Sequence, residues 1–127
     1  MNDLYFILFF LIFYFTTYSN RLKCKIKNQE EEDKIKIIHF EAAYNAKRKQ
    51  ALLKWKLKNE ESLKGSVIYR LQEGETVFSP ISGTITEDKF SDTDLGSAKS
   101  YYYQLRVYDQ HGDVYRSEKI ILTIKEN

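Results

Sequence analysis

Hydrophobic and polar residues alternate along two long segments of this sequence. From Tyr101 to Tyr108, one face carries Tyr101, Tyr103, Leu105 and Val107, and the other carries Tyr102, Gln104, Arg106 and Tyr108. From Ala51 to Lys58, one face carries Leu53, Trp55 and Leu57, and the other carries Lys54, Lys56 and Lys58. A period of two with aromatic and β-branched residues is typical of a half-buried antiparallel strand. Both segments are therefore predicted strands with one face in a core.

Shorter apolar segments between turn-forming residues predict the remaining strands. They are Ile35–Ala43, Val67–Leu71, Val77–Ile81, Phe90–Thr93 and Ile120–Ile124, with a brief further pairing at Thr84–Thr86. Pro80 places its strand at a sheet edge, because proline cannot donate to a ladder. No helical periodicity is sustained after residue 35. We predict an all-β fold, a seven-stranded antiparallel Greek-key β-sandwich that follows an apolar N-terminal segment.

Four sequence segments point to a known family. LLKWKL with Trp55, VIYRL, FSDTDL and SYYYQLRVYDQHGD together resemble a fibronectin type III domain, over residues 35–126. The spacing from Leu95 to Tyr101 matches the family's tyrosine corner, which implies a buried Tyr101 ring and a hydroxyl bonded to the backbone of Leu95–Lys99. The resemblance implies the immunoglobulin-like fold. It says little about function, because such sandwiches serve many unrelated roles.

The chain begins with an apolar run, Leu4 to Phe15, which extends through Thr16, Thr17 and Tyr18 before Asn20 and Arg21 break it. The run is shorter than the ~20 apolar residues of a membrane span. It suits the apolar core of a signal peptide, and Thr17-Tyr18-Ser19 supplies small residues for cleavage before Asn20. Positive charges follow the run instead of preceding it, which favours an uncleaved anchor with the domain on the cytoplasmic side. We therefore expect residues 1–19 to be a signal peptide or membrane anchor, 20–34 a charged linker, and 35–127 the domain.

Cys24 is the single cysteine, so no internal disulfide is available. Its position after the apolar run resembles that of a lipidated cysteine in a lipoprotein. However, Arg21-Leu22-Lys23 stand where a lipoprotein signal has small residues. Lipidation of Cys24 and a free thiol in a flexible stem remain the two alternatives.

The residues that catalysis needs are scarce. His39 and His111 are the only histidines, and the sequence has neither a glycine-rich phosphate loop nor a zinc-binding HExxH motif. We expect no enzymatic activity, no cofactor and no metal. Two acidic sets offer cation ligands in principle: Asp109, His111 and Asp113, and Asp88, Asp92 and Asp94. Turn chemistry explains the first set equally well.

Positive charge is concentrated in one part of the domain, although the net charge of the chain is only +2. A basic strip is predicted from Lys47, Arg48, Lys49, Lys54, Lys56 and Lys58. Such a strip is suited to bind an anionic polysaccharide, lipid headgroups or nucleic acid. The alternative is that these lysines keep the sheet soluble and discourage pairing at its edge. No aromatic residues interleave with them, so nucleic acid is not an expected partner.

Tyrosines form a second candidate surface. Tyr102 and Tyr108 point away from the predicted core, with Tyr69 and Tyr115 expected close by. Tyrosine gives a large contact area at low entropic cost. The alternative is cross-strand pairing that only stabilises the sheet.

These features favour a non-enzymatic interaction module, exported to the cell surface or membrane-associated. It would bind a protein or glycan partner through a rigid β-sandwich surface, and contact the membrane through its N-terminal segment. The alternative is a structural or accessory subunit, anchored to the membrane with its domain on the cytoplasmic side.

Overall fold

A computed structural model of the protein describes residues 11–23, 25 and 32–125. The chain divides into two compact units, Met1–Lys34 and Ile35–Asn127. In the first unit, residues 11–23 form a helix that continues past Asn20, where the apolar run ends. Phe13, Tyr14 and Phe15 on this helix are exposed. Among the residues described, no helix combines the length and apolarity needed to cross a bilayer.

The described part of the second unit contains eight strands in two antiparallel sheets. The strands are β1 (Lys36–Asn45), β2 (Gln50–Lys58), β3 (Leu63–Gln72), β4 (Ser79–Pro80), β5 (Lys89–Asp92), β6 (Ser100–Asp109), β7 (Val114–Arg116) and β8 (Ile120–Thr123). One sheet has the order β1-β2-β5, and the other has the order β4-β3-β6-β7, with β8 also paired to β6. A short 3-10 helix, Glu60–Ser62, separates β2 from β3. The all-β sandwich predicted from the sequence is confirmed.

The structure has one strand more than the predicted seven, because β7 forms before the predicted last strand and is separated from it at Ser117. β7 and β8 both pair with β6, on either side of residues 117–119. At the break, the Ser117 hydroxyl accepts a hydrogen bond from the Leu105 N–H at 2.9 Å, and the Ser117 N–H donates to the Leu105 carbonyl at 2.9 Å. A side-chain oxygen therefore replaces a backbone acceptor at this point, which interrupts the ladder without leaving Leu105 unpaired.

The core lies between the sheets and comes mainly from β2 and β6. Every second residue of β6 is buried, as the alternation predicts. The buried apolar residues are Ile35, Ala51, Leu53, Trp55, Ile68, Tyr101, Tyr103, Leu105, Val107 and Leu122. Leu57, which the alternation predicts in this set, and Leu95, where the tyrosine corner begins, pack against it half-buried.

β3 begins earlier than predicted, at Leu63 instead of Val67, because Leu63 and Gly65 already pair with Asp109 and Tyr108 of β6. A further segment pairs close to this start. Ser66 and Ile85 exchange two backbone hydrogen bonds of 2.7 Å, which form an isolated bridge where we predicted a brief pairing. Gly65 is buried beneath this crossing, and a Cβ there would overlap the Thr84 side chain. The glycine lets the two backbones approach closely.

Candidate contact surfaces

The outer face of the five-stranded sheet gathers most of the tyrosines singled out in the sequence. Tyr69 lies opposite Gln104 on the neighbouring strand, and Tyr102 lies opposite Leu71. Tyr69, Tyr102 and Tyr108 are all half-buried on this side. Together with two arginines they form what we call the tyrosine–arginine face, defined by Tyr69, Tyr102, Gln104, Arg106, Tyr108 and Arg116.

Arg106 is held flat at the centre of this face. Its guanidinium carbon lies 3.7 Å from the centroid of the Tyr69 ring, a cation–π contact. Its Nε donates to Gln104 Oε1 at 3.0 Å. Among the described residues its two Nη groups have no hydrogen-bond partner. The guanidinium is therefore fixed by the ring and the amide while its outer donors stay available.

The hydroxyls of Tyr69 and Tyr108 lie 3.3 Å apart, and either one can donate. The hydrogen bond to Tyr69, and to a lesser extent burial, raises the pKa of Tyr108 above its ordinary value, although Arg106 and Arg116 oppose the shift. The charges of both arginines therefore reach the same hydroxyl. Because the net shift of its pKa is upward, Tyr108 stays neutral at physiological pH.

Arg116 lies directly opposite Arg106 on the neighbouring strand. Like charges at directly opposite positions repel each other. No carboxylate pairs with either arginine in the part of the chain that the structure describes. Lys119 adds a further cation 5.7 Å from the centroid of the Tyr102 ring. This pair of unneutralised arginines was missed from the sequence, because only the strand register brings Arg116 to Arg106.

Tyr115 does not belong to this surface, where we had placed it from the sequence. It pairs with Val107, which points into the core, so Tyr115 lies on the inner side of the sheet. Its hydroxyl donates to Asp109 Oδ2 at 3.1 Å. Burial, and then the hydrogen bond to Asp109, raises the pKa of Tyr115. The prediction was wrong because the side that Tyr115 faces depends on the register of the β6–β7 hairpin. The alternation within one strand does not give that register.

Asp109 organises the hairpin between β6 and β7. Its Oδ1 accepts from the backbone N–H groups of His111 and Asp113, each at 2.9 Å. Burial acts to raise the pKa of Asp109, but the hydrogen bonds from Asp113, Tyr115 and His111 outweigh it and lower the pKa. Gly112, with φ of 90°, supplies the left-handed turn residue. All the carboxylate contacts are therefore used within the hairpin.

The second candidate surface is the predicted basic strip. In the structure its residues fall into two groups, one on β2 and one in the turn before it. Lys54, Lys56 and Lys58 point outward from β2, and Lys47, Arg48 and Lys49 lie in the turn before it. Asn45 Oδ1 fixes that turn by accepting from the backbone N–H groups of Lys47 and Arg48, at 3.1 and 3.2 Å. The register adds two lysines that the sequence did not indicate, since Lys36 lies opposite Lys58 and Lys89 lies opposite Lys54. The lysine face is defined by Lys36, Lys54, Lys56, Lys58 and Lys89.

A buried polar cluster joins the two sheets and was also missed. Arg70 Nη1 lies 2.8 Å from Asp92 Oδ2 and 3.0 Å from Asp92 Oδ1, and the Tyr103 hydroxyl donates to Asp92 Oδ2 at 2.7 Å. Asp92 is 3% exposed. Burial, and then the hydrogen bond and the charge of Asp92, raises the pKa of Tyr103 well above its ordinary value. Asp92 is therefore a structural carboxylate, with its oxygens already bound.

The hydroxyl of Tyr101 does not make the bond expected of a tyrosine corner. The Tyr101 ring is fully buried as predicted, but its hydroxyl has no hydrogen-bond partner among the described residues. The hydroxyl of Tyr103, the next buried tyrosine of the strand, is bonded, but to the side chain of Asp92 and not to the backbone of residues 95–99. The corner prediction was therefore correct for the buried ring and wrong for the hydrogen bond.

Other predicted site residues lie apart from these surfaces. Cys24 falls outside the described residues. His39 is exposed on the same side as the lysine face, with its Nε2 3.1 Å from Glu41 Oε2. Across residues 11–23, 25 and 32–125, no three His, Cys, Asp or Glu side chains come together as a metal-binding group.

Comparisons with known proteins identify the fold. No family model matches the sequence, and no curated protein matches it. Among solved structures, an Fn3-like protein from Clostridium thermocellum aligns with a TM-score of 0.57 and 19% identity, over 70% of this chain and 91% of that one. The fibronectin type III-like fold predicted from the sequence is confirmed.

Two pectate lyases share the same fold in one part of their length. PelI from Erwinia chrysanthemi, in complex with tetragalacturonic acid, aligns with a TM-score of 0.56 and 18% identity, over 65% of this chain and 27% of that one. Pel3 from Pectobacterium carotovorum aligns with a TM-score of 0.54 and 14% identity, over 68% and 26%. The present chain therefore spans about a quarter of each lyase.

Proposed function

We propose that this protein is a non-enzymatic interaction module that binds a carboxylated glycan through its tyrosine–arginine face. The observation that carries the proposal is the guanidinium of Arg106, stacked 3.7 Å above Tyr69 and directly opposite Arg116. The apolar N-terminal segment holds the module at a membrane, either as an uncleaved anchor or through a lipid on Cys24, or directs its export.

The chemistry of the face fits a carboxylate. Guanidinium groups bind carboxylates through two parallel hydrogen bonds, and the planar fork loses less freedom when it is already held in place. Arg106 is held in place by Tyr69 and Gln104. A chain of acidic sugars would neutralise the repulsion between Arg106 and Arg116, and would lie along the flat sheet between the tyrosine rings.

The comparison with the pectate lyase PelI supplies a carboxylated glycan with which to test the proposal. That enzyme was crystallised with tetragalacturonic acid, an oligosaccharide with a carboxylate on each sugar. We propose an accessory role for the present domain, with glycan contact and no bond cleavage.

Calorimetric titration of the full chain, in neutral detergent micelles, with tetragalacturonic acid tests the proposal. We expect binding by the wild type and affinity about 10- to 100-fold weaker for Arg106→Gln, because one charge-assisted contact is lost. Arg48→Gln is the matched control, since Arg48 lies in an exposed turn of the other sheet. The proposal fails if neutral galactose oligomers bind equally well, or if the two variants lose the same affinity.

A protein partner is the second candidate, favoured by exposed apolar residues on the same side of the sheet. Ile121 is 57% exposed and lies opposite Tyr102, and Val114 is 43% exposed and lies opposite Tyr108. Apolar side chains of this kind suit a protein interface better than a sugar chain. Ile121→Ser should leave titration with tetragalacturonic acid unchanged, whereas it should weaken a protein complex.

The side of the membrane is a separate question with its own measurement. Mass spectrometry of the protein from its native membrane would show either loss of residues 1–19 or a lipid on Cys24 if the domain is exported. An intact N-terminus without lipid would favour the accessory subunit with its domain in the cytoplasm.

A further inference from the structure

The lysine face places like charges directly opposite one another. Lys36 faces Lys58 and Lys54 faces Lys89 across antiparallel strand pairs. Residues at such positions have Cβ atoms about 4.5–5.5 Å apart, where like charges destabilise the sheet. The lysines therefore weaken the free domain.

Protection of a sheet edge explains only part of this charge. Lysines discourage unwanted strand pairing when they lie on an edge strand, as Lys36 on β1 and Lys89 on β5 do. However, β2 is the middle strand of its sheet and carries the other three lysines. β1 pairs along the length of β2, and β5 pairs with it over Ala51–Lys54, so Lys54 does not guard an open edge.

Neutralisation within the chain does not explain them either. Among the described residues, none of the five lysines forms an ion pair. Glu41 lies opposite Lys54, but its carboxylate makes its ion-pair contact with His39, at 3.1 Å. The face thus carries five ammonium groups and one nearby carboxylate, that of Glu41.

We infer that the lysine face is a docking surface for an anionic lipid bilayer. The charges are complementary, because the five ammonium groups lie on one outer face and a bilayer presents many phosphate headgroups at once. Each lysine near such a surface adds about fivefold to the affinity. The chain itself supplies the reason for preferring a bilayer over a soluble polyanion, since the apolar run Leu4 to Phe15 precedes the domain. A single apolar attachment is commonly reinforced by a basic patch.

This docking would also orient the module. The lysine face and the tyrosine–arginine face are the outer faces of opposite sheets of one sandwich. With the lysine face on the bilayer, the tyrosine–arginine face points away from the membrane. The inference concerns a different surface from the proposed glycan site, and each can fail without the other.

Vesicle partitioning of the full chain tests the inference. The ratio of binding to phosphatidylcholine–phosphatidylglycerol vesicles over binding to phosphatidylcholine vesicles isolates the electrostatic contribution, because the apolar segment contributes to both. We expect the wild type to prefer the anionic vesicles. The triple variant Lys54→Gln, Lys56→Gln, Lys58→Gln should lower the ratio about 100-fold.

The matched control removes the same charge elsewhere. Lys64, Lys99 and Lys125 are exposed and lie outside the lysine face, so their triple replacement by Gln should lower the ratio far less. Melting temperature checks that both variants fold, and the first should melt no lower than wild type because repulsion is relieved. Equal losses in the two triple variants, or no anionic preference in the wild type, would overturn the inference. Lysine-dependent binding to soluble polygalacturonate without binding to vesicles would also overturn it, because the partner would then be a polysaccharide.

Discussion

Tyr103 makes a bond across the core that its neighbour Tyr101 does not make. Both rings are fully buried, yet only the Tyr103 hydroxyl has a partner, the carboxylate of Asp92 at 2.7 Å. A buried hydroxyl without a hydrogen bond loses its hydration and gains nothing in return. The two tyrosines therefore contribute differently to the free energy of unfolding, although they share one strand and one face.

We expect Tyr103→Phe to lower the free energy of unfolding by about 1.5–3 kcal/mol, because it removes a hydrogen bond to a charged group. Tyr101→Phe should change it by less than about 0.5 kcal/mol or raise it, because it removes a hydroxyl that has no partner. Urea denaturation of both variants beside the wild type makes the comparison. A larger loss for Tyr101→Phe would restore the tyrosine corner that the sequence suggested.

At the scale of elements, the β6–β7 hairpin depends on one carboxylate. Asp109 accepts hydrogen bonds from both sides of the turn and from Tyr115. Since the pKa of Asp109 is lowered in the folded state, its contribution to stability is complete above the ordinary aspartate value near 3.9 and is lost as pH falls through the folded value. The hairpin should therefore loosen in acid.

Replacement of Asp109 by Asn should reduce the dependence of stability on pH. We expect wild type to lose more stability between pH 7 and pH 3 than Asp109→Asn does, because the variant has no carboxylate to protonate. Urea denaturation at the two pH values measures the difference. Asp113→Asn is the control, since Asp113 is exposed and uses its backbone N–H. A variant at residue 109 that retains the full acid sensitivity would contradict this account.

The start of β3 depends on the absence of a side chain at Gly65. We expect Gly65→Ala to destabilise by about 1–3 kcal/mol, because its Cβ would overlap Thr84 Cγ2. Thr84→Ser removes that methyl group, so the double variant should recover most of the loss. Gly83→Ala is the control, with no atom within 4 Å of the added Cβ. Thermal melts would disprove the overlap if the double variant were no more stable than Gly65→Ala.

Sequence patterns predicted the strands and their buried faces well, but they predicted poorly which residues of different strands lie side by side. The period of two in β2 and β6 depends only on local geometry, so it identified the buried face of each strand, with Trp55 and Tyr103 inside. The positions of Tyr115 and Arg116 depend on a hairpin register, which local alternation does not encode. The contact between Arg70 and Asp92 joins residues on different sheets, and only the packing of the sandwich brings them together.

At the scale of the whole molecule, the Arg70–Asp92 pair connects the two sheets. Asp92 belongs to the three-stranded sheet, and Arg70 belongs to the five-stranded sheet. Their side chains are 3% and 11% exposed, so solvent screens the pair only weakly. The pair fixes how one sheet lies on the other, whereas apolar contacts alone allow some sliding.

Asp92→Asn should lower the free energy of unfolding by about 3–5 kcal/mol, because it leaves the Arg70 guanidinium buried without a counter-charge. The double variant Arg70→Met, Asp92→Asn should lose less than the sum of the two single losses, since it leaves no unpaired charge. Guanidinium denaturation of the four proteins completes the cycle. Strictly additive losses would show that the two side chains stabilise the sandwich independently.

The unneutralised cations on both outer faces make the free domain respond to ionic strength in an unusual direction. Three cross-strand pairs repel, namely Lys36 with Lys58, Lys54 with Lys89, and Arg106 with Arg116. Added salt shortens the range of that repulsion, from about 30 Å at 0.01 M to about 8 Å at 0.15 M. Many surfaces held by exposed ion pairs lose stability as salt screens the attraction. This domain should instead become more stable as salt is added, because dissolved counterions screen the repulsion between its cations. A bound polyanion would have the same effect in a complex.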